Sequence, residues 1–250
     1  MVKLLTLNIA GLSRLEKRLA VLNLLKDHEI DIACLQEVTF TQCQHLEGAY
    51  SFYVNLGPRK RGTAMLVRRG LQVSSLLVEP DGRLISIGVS DVTYIGLYAP
   101  SGSSGKKERN ELFKTTIPVY FLASKNPTVL MGDFNAVENL TDRRQNLCQP
   151  TYILYDQIAL REMIRVLELK DAWRVLRPSE SGFTRHNSVS SSRIDRIYVT
   201  ETVRLEIIAL SAITFGGHLP LIASITTSAP IITKAPKTYD LWKLKVTKQR

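Results

Sequence analysis

Polar side chains stand at the ends of apolar runs along this 250-residue chain. Asn8 closes the first run, Glu37 follows the run from Ile30 to Leu35, and Asp133 and Asn135 follow Thr128 to Met131. Asp195 lies at the head of a later run, and His218 sits in a turn between the last two. Carboxylate and amide oxygens are hard ligands that suit magnesium. A carboxylate beside an amide can orient or deprotonate water, and a protonated imidazole can stabilise charge developing on a phosphoryl group. Cation, water and charge stabiliser together are what phosphodiester hydrolysis requires. Singly, each residue has an ordinary structural reading: Asn8 capping a turn, Glu37 as a solvated acid, Asp133 opening an Asx-turn.

For these groups to meet, the elements that carry them must end on one side of the fold. Lys3 to Ile9 reads as a strand, Ser13 and Glu16 have capping-box spacing, and Leu15, Leu19, Leu22 and Leu25 recur at helical intervals. Short β-rich segments follow at Tyr50 to Asn55, Thr63 to Arg68, Gln72 to Val78, Leu84 to Val89 and Thr93 to Tyr98. Lys106 to Lys125 predicts a helix kinked at Pro118. Asp156 can cap a further helix whose buried side carries Ile158, Leu160, Met163, Ile164 and Leu167. Strands at Arg193 to Val199, Leu205 to Leu210 and Leu221 to Thr226 close the body. Strands then helices, twice over and without a sequence repeat, predict an α/β fold: a four-layer sandwich of two packed, mostly antiparallel sheets flanked by helices. One domain is expected over residues 1–228, with a basic linker or tail over 229–250.

Composition narrows the partners. The uncharged stretch Ile207 to Thr233 is interrupted by Gly216, Gly217, His218 and Pro220, which fits two strands around a turn better than a membrane span, so no membrane partner is expected. The first apolar run holds Asn8 and leads to no small-residue cleavage site, so no secretory signal is read. Cys34, Cys43 and Cys148 form no metal-type spacing and leave one thiol over, which points to a reducing compartment, cytosol or nucleus. The net charge of +10 favours a polyanionic partner, although residues 229–250, with six Lys or Arg against one Asp, carry about half of it.

Taken as an ordered set, Leu5-Thr-Leu-Asn8, Asp31-Ile-Ala-Cys-Leu-Gln-Glu37, Tyr98-Ala-Pro100, Gly132-Asp-Phe-Asn135, Ser192-Arg-Ile-Asp-Arg-Ile-Tyr198 and Gly217-His-Leu-Pro220 resemble the exonuclease III, apurinic endonuclease and DNase I-like phosphodiesterases. Within that superfamily the chain is most similar to the endonuclease domain of LINE-type (non-LTR) retrotransposons, a likeness to which Leu169-Lys-Asp-Ala-Trp173 and Gly182-Phe-Thr184 add. The resemblance implies a DNase I-like sandwich and a magnesium-dependent endonuclease, with manganese as a substitute. It implies nicking of double-stranded DNA to leave a 3′-hydroxyl that primes a reverse transcriptase of the same polyprotein, on chromosomal DNA in the nucleus. By matched position it makes Glu37 the chief metal ligand with Asn8 beside it. Asp133 and Asn135 then orient or deprotonate the attacking water, His218, held by Asp195, contacts the scissile phosphate, and Tyr98 aims a hydroxyl at the same phosphate. A cellular abasic-site repair endonuclease and a DNA-binding module whose cutting has lapsed are the alternatives.

Two positions depart from the resemblance. Gly217 stands where the superfamily usually has an aspartate before the histidine, which is expected to weaken the metal site, and Ser101 replaces an asparagine, which puts an inherited phosphate contact in doubt. For DNA contacts, Arg143, Arg144, Arg185, Arg193 and Thr184 are the expected residues, with Arg59-Lys60-Arg61 and Arg196 as further loop cations. Trp173 reads as core rather than as a base-stacking platform.

Overall fold

A computed structural model describes residues 1–58, 62–145 and 155–227. The Arg59-Lys60-Arg61 cluster, Cys148 and the tail expected over 229–250 lie outside the described residues. Two six-stranded sheets form the centre. The first has the order Val203–Leu210, Leu221–Thr227, Val2–Asn8, Ile32–Val38, Gly62–Arg68, Tyr50–Leu56. The second runs Lys170–Asp171, Asp195–Val199, Thr128–Asp133, Val92–Tyr98, Leu84–Val89, Val73–Val78. Each contains one parallel pairing, Val2–Asn8 with Ile32–Val38 and Val92–Tyr98 with Thr128–Asp133, and the remaining pairs are antiparallel.

Alternation along each strand sends side chains to opposite faces. Leu4, Ile32, Cys34 and Met65 from the first sheet meet Ile85, Tyr94, Met131 and Ile197 from the second in a central core. Their neighbours Leu5, Leu7, Ala33 and Leu35 turn outward onto the helix Leu15–Asp27. On the far side, Ile95, Leu97 and Leu130 pack on Phe113, Ile117, Leu160 and Met163 of the flanking helices. The expected order of layers, helix, sheet, sheet, helix, is the observed one. Trp173 is buried, with its indole N–H donated to the Glu180 carbonyl at 3.1 Å, so it belongs to the core. Among the described residues no helix is long and apolar enough to cross a membrane.

Several local expectations change. The first helix begins at Leu15 with Arg14 at its N-cap and no side-chain cap, so the Ser13 and Glu16 pair makes no capping box. Its buried face is Val21, Leu24 and Leu25, whereas Leu15 and Leu19 are exposed. The segment expected to kink at Pro118 instead widens before it: Leu112–Thr116 forms a π-helical stretch between Lys106–Glu111 and Ile117–Leu122. Proline lacks an N–H and crowds the carbonyl four residues back, and the wider turn relieves both. Asp156 is no cap; it lies inside the first turn of Tyr155–Val166, buried against Arg109 at 2.8 Å, and Ile158 is exposed.

Candidate active site

Five strand ends and one turn converge at one edge of the sandwich. Asn8, at the end of Val2–Asn8, is almost fully buried, and its amide NH2 donates to Asp133 Oδ2 at 2.9 Å and to Glu37 Oε1 at 3.1 Å. Its own oxygen accepts the Ala10 backbone N–H at 2.9 Å. Asn8 is thus the bridge between two carboxylates that lie far apart in sequence. The Tyr98 hydroxyl donates to the same Glu37 oxygen at 3.2 Å.

The backbone is unusual at these positions. Glu37 has φ of 57° where the pairing of Ile32–Val38 with Gly62–Arg68 slips between Gln36 and Val38, and Asn135 has φ of 46°. Left-handed conformations cost energy for residues with a Cβ and persist where the surroundings over-determine them, often at functional sites. The bulge turns the Glu37 carboxylate out of the sheet and into the cluster. At Asp133 the Asx-turn reading and the site reading both hold, one on each oxygen: Oδ1 accepts the Asn135 N–H at 2.8 Å, while Oδ2 faces Asn8. The side-chain NH2 of Asn135 is tied to the Ala99 carbonyl at 2.9 Å. Gly132 makes this approach possible, since a Cβ there would lie 2.0 Å from the Leu97 carbonyl oxygen.

Asp195 pairs across the strand with Asp133. His218 Nδ1 donates to the Asp195 carboxylate, at 2.9 Å and 3.2 Å from its two oxygens. Burial raises the Asp133 pKa to about 7, with the Asp195 charge acting in the same direction and His218 opposing. Burial works against a charged His218, but the Asp195 charge and hydrogen bond outweigh it and hold the ring's pKa above its ordinary value. Tyr98 is pushed up to about 12 by burial and by Glu37, so it stays a hydroxyl donor at neutral pH. Asp133, Asp195 and His218 bring ligand-type atoms within 4.8 Å of one another, and Glu37 adds a half-buried carboxylate one amide away. With His218 committed to Asp195, the hard oxygens facing the cluster are the carboxylates of Glu37 and Asp133, donors of the kind a divalent cation takes.

The expected DNA contacts separate into two groups. A small sheet pairs Arg185–His186 with Ser190–Ser192 and the latter with Arg143–Gln145. Arg143, Ser192 and Arg185 are in register and share one face, while Arg144, Ser191 and His186 share the other. Arg185 is exposed, forms a backbone bridge with His218, and its charge opposes that of the imidazole. Arg193 and Thr184, by contrast, are interior, which corrects their assignment to the DNA. Arg193 is 1% exposed, with Nε on Asp142 at 2.9 Å and Nη1 on Asp171 at 2.6 Å. Arg196 is equally buried in the same ion-pair network. Thr184 is 0% exposed, and its hydroxyl oxygen accepts backbone N–H groups of Ile194 and Asp195.

Gly217 is explained by its turn. It has φ of +86°, its carbonyl accepts the His186 N–H at 2.8 Å, and a Cβ would sit 2.7 Å from the His186 oxygen. An aspartate therefore does not fit here without reshaping the turn. Ser101 is exposed beside Tyr98 in a cleft of about 1150 Å³ that also holds Arg83 and Lys107. Arg83, which no sequence signal singles out, lies 5.1 Å over the Tyr98 ring.

Buried carboxylates, a bridging amide and a carboxylate-held imidazole at one edge of the sandwich are groups that phosphoester hydrolysis can use. The chain belongs to the Endonuclease/Exonuclease/phosphatase family, which it matches over residues 5–210. It is 29% identical over 249 residues to the "Transposon TX1 uncharacterized 149 kDa protein" of Xenopus laevis, covering 90% of this chain but only 18% of that protein's length. It is 25% identical over 245 residues to an exodeoxyribonuclease of Bacillus subtilis (strain 168), covering 88% of this chain and 97% of the relative. The fold is shared with an AP endonuclease from Archaeoglobus fulgidus (TM-score 0.76, 20% identity, covering 90% of this chain and 99% of the other). It is shared equally with the 3′ phosphatase NExo (D146N) from Neisseria bound to a product DNA hairpin (TM-score 0.79, 21% identity, covering 90% and 100%).

Proposed function

We propose that this chain is the DNA-nicking endonuclease domain of a LINE-type retrotransposon protein, working with magnesium and leaving a 3′-hydroxyl that primes a reverse transcriptase of the same polyprotein in the nucleus. The observation that carries the nuclease reading is the hydrogen-bonded chain from Tyr98 through Glu37 and Asn8 to Asp133, with His218 on Asp195 alongside. The retrotransposon reading is supported by the similarity to the frog transposon protein.

In this reading Asp133 takes the proton from the attacking water, because a carboxyl with a pKa of about 7 is an effective base near neutral pH. Asn135, fixed by Ala99, orients that water. Protonated His218 and the Tyr98 hydroxyl donate to the phosphoryl oxygens as charge builds on them. A divalent cation held by Glu37, with Asn8 beside it, would supply neutralisation of the non-bridging oxygens. Arg185 and Arg143, on one face of the small sheet, hold the DNA backbone beside the cut.

The test is relaxation of supercoiled plasmid by the purified chain. Nicking is expected with magnesium and none with EDTA; nicking that survives chelation overturns the metal-dependent reading. Equal cutting of intact and abasic duplexes is expected, and a strong abasic preference would favour a repair enzyme. The Gly216-Gly217 turn motivates a second reading, a DNA-binding module that no longer cuts; salt-sensitive binding without cleavage in any divalent cation would establish it.

The rate should follow a bell in pH. Asp133 is competent only when ionised, so activity rises as pH increases through about 7. His218 is competent only when protonated, so activity falls as pH passes its raised pKa. Asp195→Asn removes the charge that holds the imidazolium and should move the alkaline limb to lower pH. An alkaline limb that stays in place would exclude His218 as the protonated group.

A further inference from the structure

The geometry points to Thr184 as a positioning residue for the catalytic pair, acting through backbone amides rather than on DNA. The inference rests on the nuclease reading of the site given above. Thr184 is wholly buried, and its Oγ accepts two consecutive backbone donors, Ile194 N–H at 3.2 Å and Asp195 N–H at 3.0 Å. Those residues open the strand Asp195–Val199, where the Ile194 carbonyl also receives the Phe134 N–H. The backbone of Thr184 makes the second half of the clamp. Its N–H donates to the Ser192 carbonyl at 3.0 Å, and its carbonyl accepts the Leu219 N–H at 2.7 Å.

One residue thus ties together the segment that delivers Asp195 and the turn that delivers His218. These two side chains must meet at 2.9 Å for the imidazole to be held and oriented. The residues lie 23 apart in sequence, and their direct contact is through flexible side-chain torsions. The rigidity of the pair therefore comes from the backbone anchors on either side. A hydroxyl is required at position 184 because buried amide donors must find an acceptor, and a methyl in its place would leave both unpaired. The Thr184 methyl adds stiffness at χ1, which fixes where the oxygen points.

The test compares Thr184→Val, which keeps the shape and loses the acceptor, with Thr184→Ser, which keeps the acceptor. Plasmid nicking with magnesium is measured well below each variant's melting temperature and normalised to folded protein. Thr184→Val is expected to lower kcat roughly 10 to 100-fold with KM unchanged, since misplacement of a supporting group acts on the transition state. Thr184→Ser is expected to restore most of the rate. A raised KM at unchanged kcat would mean that Thr184 contacts DNA, and a Ser variant as slow as Val would mean that the hydroxyl is not the anchor; either overturns the assignment. A second arm needs no cleavage: NMR of the intact chain should show loss of amide-exchange protection at Ile194 and Asp195 in Thr184→Val together with loss of the slowly exchanging His218 Nδ1–H. Amides freed while that proton persists would refute the coupling. Wild-type protein that cuts no DNA would instead count against the nuclease reading, with the NMR arm still deciding the role of Thr184.

Discussion

Asp133→Asn is expected to slow plasmid nicking by roughly 10² to 10⁴-fold, the usual contribution of a positioned base, while leaving thermal stability equal or raised. The two halves of this expectation have one cause. Asp133 is 1% exposed, faces Asp195 across the strand pair, and has its pKa lifted to about 7 by burial, with Asp195 adding to the effect. For an acid whose folded pKa is raised, ionisation opposes folding: the penalty begins above the unfolded value and is complete above the folded one. At pH 8 the wild type carries that penalty in full. Asparagine has the same shape, keeps an oxygen for the Asn135 N–H and removes the charge, and the relief of that buried charge offsets the loss of the acceptor that Asn8 now uses. A neutral side chain cannot take the proton from water, so the step that uses it fails. Rate and melting temperature measured on the same preparation check the expectation. A slowed variant that also melts well below wild type would mean that the loss is one of folding.

Asp142→Ala is expected to destabilise the domain by about 3–5 kcal/mol, because it strands buried cations rather than because a salt bridge is worth that much. Asp142 is 0% exposed. One oxygen receives Arg193 Nε at 2.9 Å and Arg174 Nη2 at 2.6 Å, and the other receives Arg196 Nη2 at 2.9 Å and the Asn139 N–H at 3.0 Å. Burial pushes its pKa up, but Arg196 and Arg193 outweigh this and hold the carboxyl well below its ordinary range. The sign follows: a depressed folded pKa contributes stability that is fully present above the unfolded value near 3.8 and is lost as pH falls below it. With alanine, the carboxylates left to Arg193 and Arg196 among the described residues are Asp171 and the more distant Glu138, and Arg196 keeps the Arg193 carbonyl. A loss of this size corresponds to a drop of roughly 6–20 °C in melting temperature for a domain of this length. A change within a few degrees in a thermal scan at pH 7 would show that the arginines find other partners.

The network also bears on function, since Arg193 and Arg196 bracket Ile194 and Asp195. Two buried cations on either side of the residue that holds His218 anchor this stretch against the strand Lys170–Asp171 and the 3-10 turn Leu140–Asp142. The same stretch is held through its backbone N–H groups by the Thr184 hydroxyl.

The sequence by itself determined the layers and which polar residues stand at the strand ends. Near-continuous apolar runs in Val2–Asn8, Ile32–Val38 and Thr128–Asp133 read as strands buried on both faces, and a polar residue ending such a run belongs at the rim of a sheet. That reasoning places Asn8, Glu37 and Asp133 at one edge, and the ordered motifs add Tyr98, Asn135, Asp195 and His218. What only the tertiary structure decided is which atom meets which. That Asn8 turns its NH2 to two carboxylates, that Glu37 sits on a bulge, and that Gly217 leaves no room for a side chain all follow from chain segments tens of residues apart.

The arginines show the limit most clearly. Arg185 and Arg193 both lie close to strand ends of the candidate site, and nothing in their local pattern separates them; yet one is exposed and the other meets Asp142, distant by 51 residues. Periodicity reports which face of a strand a residue occupies. Whether a charge on that face meets water or a buried counter-charge depends on what the rest of the chain brings to it, and for Arg193, Arg196 and Thr184 that is the interior.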